Sequence, residues 1–284
     1  MPLSAEEIER CPRLSMCIRR QALALASIQE NHPRISAIFA THQRWLLAHI
    51  ALAIHFRAIA SRAADDLRAS VFNAAAQAHG VASRNTADAF MKEALNYGYL
   101  EPVPSGIDRR VRSFAVAKFA VQTLVDWLVV HLTTLDDMDD GRRREAFLAH
   151  PARIADIQPR IADGLLRSAA IRDPTPSFSL FTWLNEGGVV MDWLCAGLAE
   201  APPDTERIPT SVTSLADIGE RIRLSRSQLY RKLRMAESMG SLGWSGERCN
   251  SRMWVSAAFL GEYYAQQSAK LAIIDRAFHE SGSF

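Results

Sequence analysis

The residues best suited to chemistry lie in one basic segment near the C-terminal end. Between Arg221 and Arg234 the chain contains arginines and a lysine but no acidic residue. Helical spacing places Leu229, Leu233 and Ala236 on one face, which should pack on the protein. Cationic groups neutralise phosphates, and arginine, glutamine and serine side chains bond to base edges. The outward face therefore predicts a surface for double-stranded DNA, formed by Arg226, Ser227, Gln228, Tyr230, Arg231 and Arg234. A solvated basic helix without a partner is the alternative.

A second candidate surface lies earlier in the chain, on a helix predicted over 84–97 and the hairpin after it. The helix is nearly neutral, so the hairpin carries most of the indication. The side chains predicted to contact DNA here are Ser83, Arg84, Asn85, Arg109, Arg110 and Arg112. Three arginines at a hairpin tip suit phosphates or a narrow minor groove, although a solvated loop is the alternative. The helix is expected to bury Ala87, Phe90, Ala94 and Tyr97 and to expose Asn85, Asp88, Lys92 and Asn96.

The elements that must position these side chains recur in the same order. Helix, tight turn, helix, glycine, hairpin and long helix occur near 65–135 and again near 214–279. The predicted fold is therefore mainly α, with tandem winged helix-turn-helix units whose small hairpin wings lie near 100–116 and 242–255. The predicted domains are 1–140, with N-terminal helices and the first winged helix, a helical connector over 141–205, and a second winged helix over 206–284. The proline-rich stretch 201–209 is the clearest linker.

The first unit resembles the winged helix of the MarR family of bacterial transcriptional regulators over about 40–135. The resemblance depends on the segments 83–86 (Ser-Arg-Asn-Thr), 95–100 (Leu-Asn-Tyr-Gly-Tyr-Leu), 108–110 (Asp-Arg-Arg) and 114–116 (Phe-Ala-Val). It implies a wing arginine near DNA at Arg110, with Asp108 orienting it. It also implies dimerisation through the helices that flank the unit, and members that respond to small ligands. The chain departs from the family in carrying a second winged-helix-like unit, which lacks the Asp-Arg-Arg segment.

Composition excludes several classes of protein. The chain has 284 residues, 48% hydrophobic and 23% charged, with a net charge of +2, which is typical of a globular protein and excludes a wholly disordered one. The cysteines Cys11, Cys17, Cys195 and Cys249 lack the spacing of a zinc site.

We expect a cytoplasmic, nucleoid-associated protein, since there is no secretory signal and no long apolar segment. Enzyme motifs are missing, so neither catalysis, a cofactor nor a metal is expected. The acidic cluster 136–140 is interpreted as a solvated linker.

The preferred function is a DNA-binding transcriptional regulator. The alternative is a winged-helix protein that binds other proteins, or a replication-initiator-type protein. A small-molecule effector is possible if His49, His55, Trp45 and Phe56 line a pocket, although packed side chains are the simpler interpretation. No membrane partner is expected.

We expect a homodimer, because two apolar surfaces need a cover. They consist of Val121, Leu124, Val125, Leu128, Val129 and Leu132 on one helix, and Trp45, Leu46, Ile50 and Ile54 on another. The alternative is that the segment 142–205 folds back over both surfaces, so that each chain is a pseudo-dimer.

Overall fold

The fold is described from a computed structural model of the chain. The described residues are 1–31, 41–61, 67–103, 113–175, 177–179, 187–202, 204–214, 226–248 and 250–282. Among them no helix is long and apolar enough to cross a bilayer.

Helices dominate the described residues, and the strands form two small sheets. The N-terminal part contains α1 (Ala5–Glu9), α2 (Leu14–Asn31), α3 (His42–Ser61), β1 (Leu67–Arg68), α4 (Ala69–Ala78), α5 (Arg84–Asn96), β2 (Leu100–Val103), β3 (Ser113–Val116) and α6 (Lys118–Asp139). The C-terminal part contains α7 (Arg143–Ala149), a 3-10 turn (Pro151–Arg153), α8 (Ile154–Arg167), α9 (Ala169–Arg172), α10 (Gly187–Ala196), β4 (Arg207–Pro209), α11 (Arg226–Ser238), β5 (Leu242–Trp244), β6 (Met253–Ser256) and α12 (Ala257–Glu280). The predicted mainly-α class is confirmed.

Both sheets have three antiparallel strands, in the orders β1-β3-β2 and β4-β6-β5. The predicted hairpins are present, with Leu100 opposite Val116 in the first and Leu242 opposite Val255 in the second. The outer strands β1 and β4 were not predicted, because two or three residues are too few to show the alternation that identifies a strand. In both sheets, therefore, a strand before the helices pairs with the last strand of the hairpin that follows them.

A glycine ends each helix that precedes a hairpin. Gly98 follows α5 with φ 73°, and Gly240 follows α11 with φ 72°. Only glycine adopts this left-handed conformation at little cost, and it satisfies carbonyl groups at the helix end. The same conformation at both positions turns the chain from α5 into β2 and from α11 into β5.

The apolar surfaces expected to need a partner are covered within the chain. On α6 the side chains of Leu124, Leu128 and Leu132 are buried, the three valines of the same surface are half-buried, and α2 packs along this helix. The helix α3 packs against α8, which belongs to the segment 142–205. The need to cover these surfaces therefore no longer supports the expected homodimer. The alternative, in which the segment 142–205 folds back over them, agrees with these contacts.

The expectation of a solvated acidic linker at 136–140 is wrong. Asp136 and Asp139 lie in the last turn of α6, and both accept hydrogen bonds from Arg143, whose side chain is only 7% exposed. The Arg143 guanidinium also bonds through Nε to Oδ1 of the fully buried Asp275 in α12, at 2.6 Å. Composition alone could not show this pairing, because Asp275 is distant in sequence.

Removing one side of this network should destabilise the protein strongly. Asp275→Ala removes one acceptor of the buried Arg143 guanidinium and the acceptor of the Leu3 N–H. We expect a loss of about 3 kcal/mol or more in the free energy of unfolding, since a buried charge that loses its partner is costly. The matched control is Asp137→Ala, whose partner Arg20 is largely exposed, and it should lose less than about 1 kcal/mol. Urea unfolding measures both, and equal losses in the two variants would contradict the assignment.

Candidate nucleic-acid interface

The helix α11 places its apolar and basic side chains as predicted. Leu229, Leu233 and Ala236 are buried against the protein, while Arg231 and Arg234 are exposed on the opposite side. Ser227 is also exposed. Arg226 and Gln228 lie within α11, but their side chains are outside what the structure describes. The described part of the predicted surface is therefore on one face.

The two exposed arginines have no carboxylate within ion-pair distance among the described residues. Among the described residues, the ion pair of α11 is the one between Glu237, near the end of the helix, and Arg248. Arginine without an internal counter-charge is suited to a phosphate or to the edge of a guanine base. Arg231 and Arg234 are consequently the strongest anion-binding groups of this face.

The hairpin that follows α11 is joined to it by Arg248. The Nη1 of Arg248 donates to the Tyr230 hydroxyl at 2.9 Å, and its guanidinium carbon lies 4.5 Å from the centre of the Tyr230 ring. Arg248 also lies 3.1 Å from Glu237, which accepts a hydrogen bond from Nε1 of Trp244 at 3.0 Å. Tyr230, predicted as a DNA contact, is thus partly engaged by the hairpin.

Sequence reasoning missed Arg248 and Glu237 as parts of this site. The contact joins a helix to a loop, so no helical or strand periodicity brings the two residues together. The excess of aromatic and basic residues in the 244–254 hairpin was the one available signal. These contacts hold the helix and the hairpin side by side.

The helix α5 is formed as predicted at its start. Thr86 N–H donates to the Ser83 hydroxyl at 3.3 Å, so Ser83 is the N-cap residue and is engaged within the protein. Arg84 and Asn85, in the first turn, are exposed. The first turn of a recognition helix is the part that reaches base edges in a major groove.

Two details of α5 differ from the prediction. Tyr97 is 38% exposed rather than buried, because it follows the last helical residue, and Met91 occupies the core instead. Asp88 is half-buried rather than outward, and it accepts a hydrogen bond from Nδ2 of Asn73 at 2.5 Å. Ala87, Phe90 and Ala94 are buried as expected.

Scaffold contacts hold α5 in place. Arg44 of α3 forms a two-pronged ion pair with Glu93, and Nε2 of Gln43 donates to the Val81 carbonyl at 2.8 Å. Both acidic side chains of α5 are therefore engaged by neighbouring helices. Its exposed charged side chains are those of Arg84 and Lys92.

The residues predicted at the tip of the first hairpin fall outside the described residues. These are Asp108 and the arginines Arg109, Arg110 and Arg112. The strands that would carry this tip, β2 and β3, are paired on either side of it.

The side chains considered for an effector pocket are packed against protein groups. The His49 ring lies 4.8 Å from that of Trp45 and 5.5 Å from that of Trp127, measured between ring centres. Val116 N–H donates to Nδ1 of His55 at 3.4 Å, and Phe56 is buried. The geometry agrees with the simpler interpretation of packed side chains.

No family model, no curated protein and no solved structure matches this chain.

The burial of His49 predicts a dependence of stability on pH. Burial, aided by the nearby Lys270, lowers the pKa of His49 from 6.5 to about 3. Between these values the unfolded chain binds a proton that the folded chain does not, so stability falls as the pH falls below 6.5. At pH 5.5 this one group should cost about 1 kcal/mol relative to pH 7.5.

The test compares urea unfolding of His49→Gln and of the control His150→Gln, which replaces an exposed histidine, at both pH values. The first variant should lose less stability on acidification than the parent chain, by about 1 kcal/mol. The control should keep the loss of the parent. If the two variants respond alike to pH, then His49 is not the titrating group.

Proposed function

We propose that the chain is a DNA-binding transcriptional regulator with tandem winged helix-turn-helix units of the MarR type. The observation that carries the proposal is the pair of exposed arginines on α11, Arg231 and Arg234, which lack a described counter-charge and lie on a helix joined to a hairpin. A cationic helix face next to a rigid hairpin is the arrangement that a winged helix presents to a DNA duplex.

The order of elements supports this proposal in both units. In the first, β1, α4, α5, β2 and β3 follow one another, and the sheet order β1-β3-β2 places the hairpin beside α5. In the second, β4 precedes α11, β5 and β6, with the equivalent order β4-β6-β5. The predicted short helix near 214–221 lies largely outside the described residues.

In the proposed binding mode, α11 and the hairpin after it contact different parts of the duplex. The α11 face enters the major groove, where Arg231 and Arg234 contact phosphates or guanine edges. The hairpin carrying Arg248 and the exposed Arg252 follows the neighbouring backbone. Such a regulator acts on the nucleoid in the cytoplasm.

A second candidate, a protein-docking role for α11, is favoured by one observation. Met235 and Met239 near the end of this helix are each 45% exposed. Exposed methionines are adaptable contacts for protein partners. The two roles differ in the side chains that they need, because a docking surface of this kind would depend on the methionines rather than on the arginines.

The double substitution Arg231→Ala with Arg234→Ala should weaken DNA binding and flatten its dependence on salt. Each lost phosphate contact removes about 0.9 from the slope of log affinity against log salt concentration. Two lost contacts should therefore remove about 2 from the slope. Fluorescence anisotropy with a labelled random-sequence duplex at several salt concentrations measures this.

The matched control is Arg160→Ala with Arg167→Ala, which removes the same charge from exposed positions of α8. It should leave both affinity and slope close to those of the parent. Unchanged binding in the α11 variant, or an equal loss in the α8 variant, would reject the proposed DNA surface.

A further inference from the structure

The order of elements repeats over the whole chain and not only over the two hairpin units. We call residues 1–140 the first half and residues 141–284 the second half. In each half a short helix, a longer helix, a helix before the sheet, a strand, a helix, a hairpin and a long helix occur in this order. The first half also has α4 between β1 and α5, and the second half also has α9 between α8 and α10; the residues between β4 and α11 that would correspond to α4 lie largely outside the described residues. The corresponding pairs are α1 with α7, α2 with α8, α3 with α10, β1 with β4, α5 with α11, β2 with β5, β3 with β6 and α6 with α12.

Residues at equivalent places agree in type and in burial. Around the helices α5 and α11, the matched pairs share a first helical arginine, three buried positions, a left-handed glycine and a buried leucine. They are Arg84 and Arg226, Ala87 and Leu229, Met91 and Leu233, Ala94 and Ala236, Gly98 and Gly240, and Leu100 and Leu242. The segment predicted as a connector over 141–205 thus supplies the equivalents of α1, α2 and α3.

The two halves pack by exchanging equivalent contacts. The helix α1 packs on α12, and its counterpart α7 packs on α6. Likewise α2 packs on α10, while α8 packs on α3. Within each half, α2 packs on α6 and α8 packs on α12, and the two long helices contact each other. Contacts that remain equivalent when the partners are exchanged define a two-fold arrangement, as in a symmetric dimer.

Individual hydrogen bonds repeat in the same way. Leu3 N–H donates to Oδ2 of Asp275 in α12 at 2.7 Å, and Arg143 N–H donates to Oδ1 of Asp136 in α6 at 2.8 Å. Each bond joins the start of one half to the last turns of the long helix of the other half. Arg13 donates to the Met138 carbonyl, and Arg153 donates to the Phe278 carbonyl.

The two candidate DNA-binding helices nevertheless differ in charge. The helix α5 balances Arg84 and Lys92 against Asp88 and Glu93. The helix α11 carries its basic residues against Glu237 alone; they are Arg226, Arg231, Lys232 and Arg234. Equivalent positions also carry different groups, such as Asn85 and Ser227 in the first turn. Two such helices cannot favour the same base sequence equally, because base edges are distinguished by the donors and acceptors that face them.

We propose that a single chain, whose two halves are covalently linked, is a pseudo-dimer that binds one DNA duplex at two adjacent half-sites of unlike sequence. This inference rests on the proposed function, and it replaces the expected homodimer by one chain per duplex. The exchange of contacts relates the two units by a pseudo-two-fold, as the two subunits of a dimeric DNA-binding protein are related when they bind two half-sites. Because the units are covalently joined, binding by one raises the effective concentration of the other at its half-site.

The first experiment uses the full chain and a pool of random duplexes of about 40 base pairs, long enough for two half-sites one or two helical turns apart. Duplexes retained by the protein are sequenced, and the complex with the best one is weighed by native mass spectrometry. We expect one chain of 31.5 kDa per duplex and two separate patches of protection in a footprint.

The outcomes separate this inference from the proposed function. A chain that retains no duplex above the α11 double variant overturns the proposed function, and the inference with it. A chain that binds DNA as two copies per duplex, or that protects one patch only, overturns the pseudo-dimer and leaves the proposed function standing.

The second experiment assigns each half-site to its helix. Arg84→Ala with Asn85→Ala should abolish protection of one half-site and lower affinity about tenfold or more, while protection of the other half-site is kept. Arg231→Ala with Arg234→Ala should affect the opposite half-site. The control Arg160→Ala with Arg167→Ala should affect neither. The assignment would be overturned if the α5 variant and the α11 variant each lost protection of both half-sites. It would also be overturned if the α5 variant kept protection of both.

The third experiment tests whether the half-sites are unlike. A duplex carrying two copies of the half-site assigned to α11, at the natural spacing and orientation, should bind about tenfold or more weakly than the selected duplex. Equal affinity for the two duplexes would overturn the claim that the half-sites differ.

Discussion

The burial of two long helices side by side is the constraint on which the rest of the structure depends. Both α6 and α12 carry an apolar surface that is too broad to be covered by one neighbouring helix. The fully buried side chains on these surfaces include Leu128, Leu132, Leu135, Tyr263, Leu271 and Ile274. A fully buried side chain of this size contributes about 1.5–3 kcal/mol. Each long helix obtains its cover from both halves of the chain, since α2 and α7 pack on α6, and α1 and α8 pack on α12. Neither half has all the surfaces that its own long helix needs.

Polar groups inside this assembly determine how the helices align. Gln21 donates to Gln267 at 2.8 Å, and the Tyr263 hydroxyl donates to Asp192 at 2.6 Å. Burial raises the pKa of both Tyr263 and Asp192, so either charge would be costly without this bond. A buried polar group tolerates few alternative partners, and sliding one helix would break these bonds. The pairs therefore favour one alignment, whereas apolar contacts alone would tolerate several.

Local rules predicted the elements that depend on local chemistry. The two hairpins, the glycines after α5 and α11, and the buried face of α11 all follow from periodicity and turn residues. The errors occur where distant residues decide. Asp88 turns inward because Asn73 bonds to it, and the 136–140 cluster is structured because Arg143 and Asp275 meet it. The packing of α3 against α8 was left open between two alternatives, since sequence spacing does not reveal which surface covers another.

The modest net charge of +2 does not weaken either candidate surface, because the fold sorts charge by position. In α5, Glu93 is paired with Arg44 and Asp88 is bonded by Asn73, so both carboxylates face the scaffold.

In α11, Glu237 is engaged by Trp244 and Arg248. Each helix thereby keeps its acidic groups in internal contacts and leaves arginines exposed, at Arg84 in α5 and at Arg231 and Arg234 in α11. An anionic partner responds to the local potential at the contact rather than to the total charge of the protein. The same internal pairs that hold the helices in place thus also determine which charges remain for a partner.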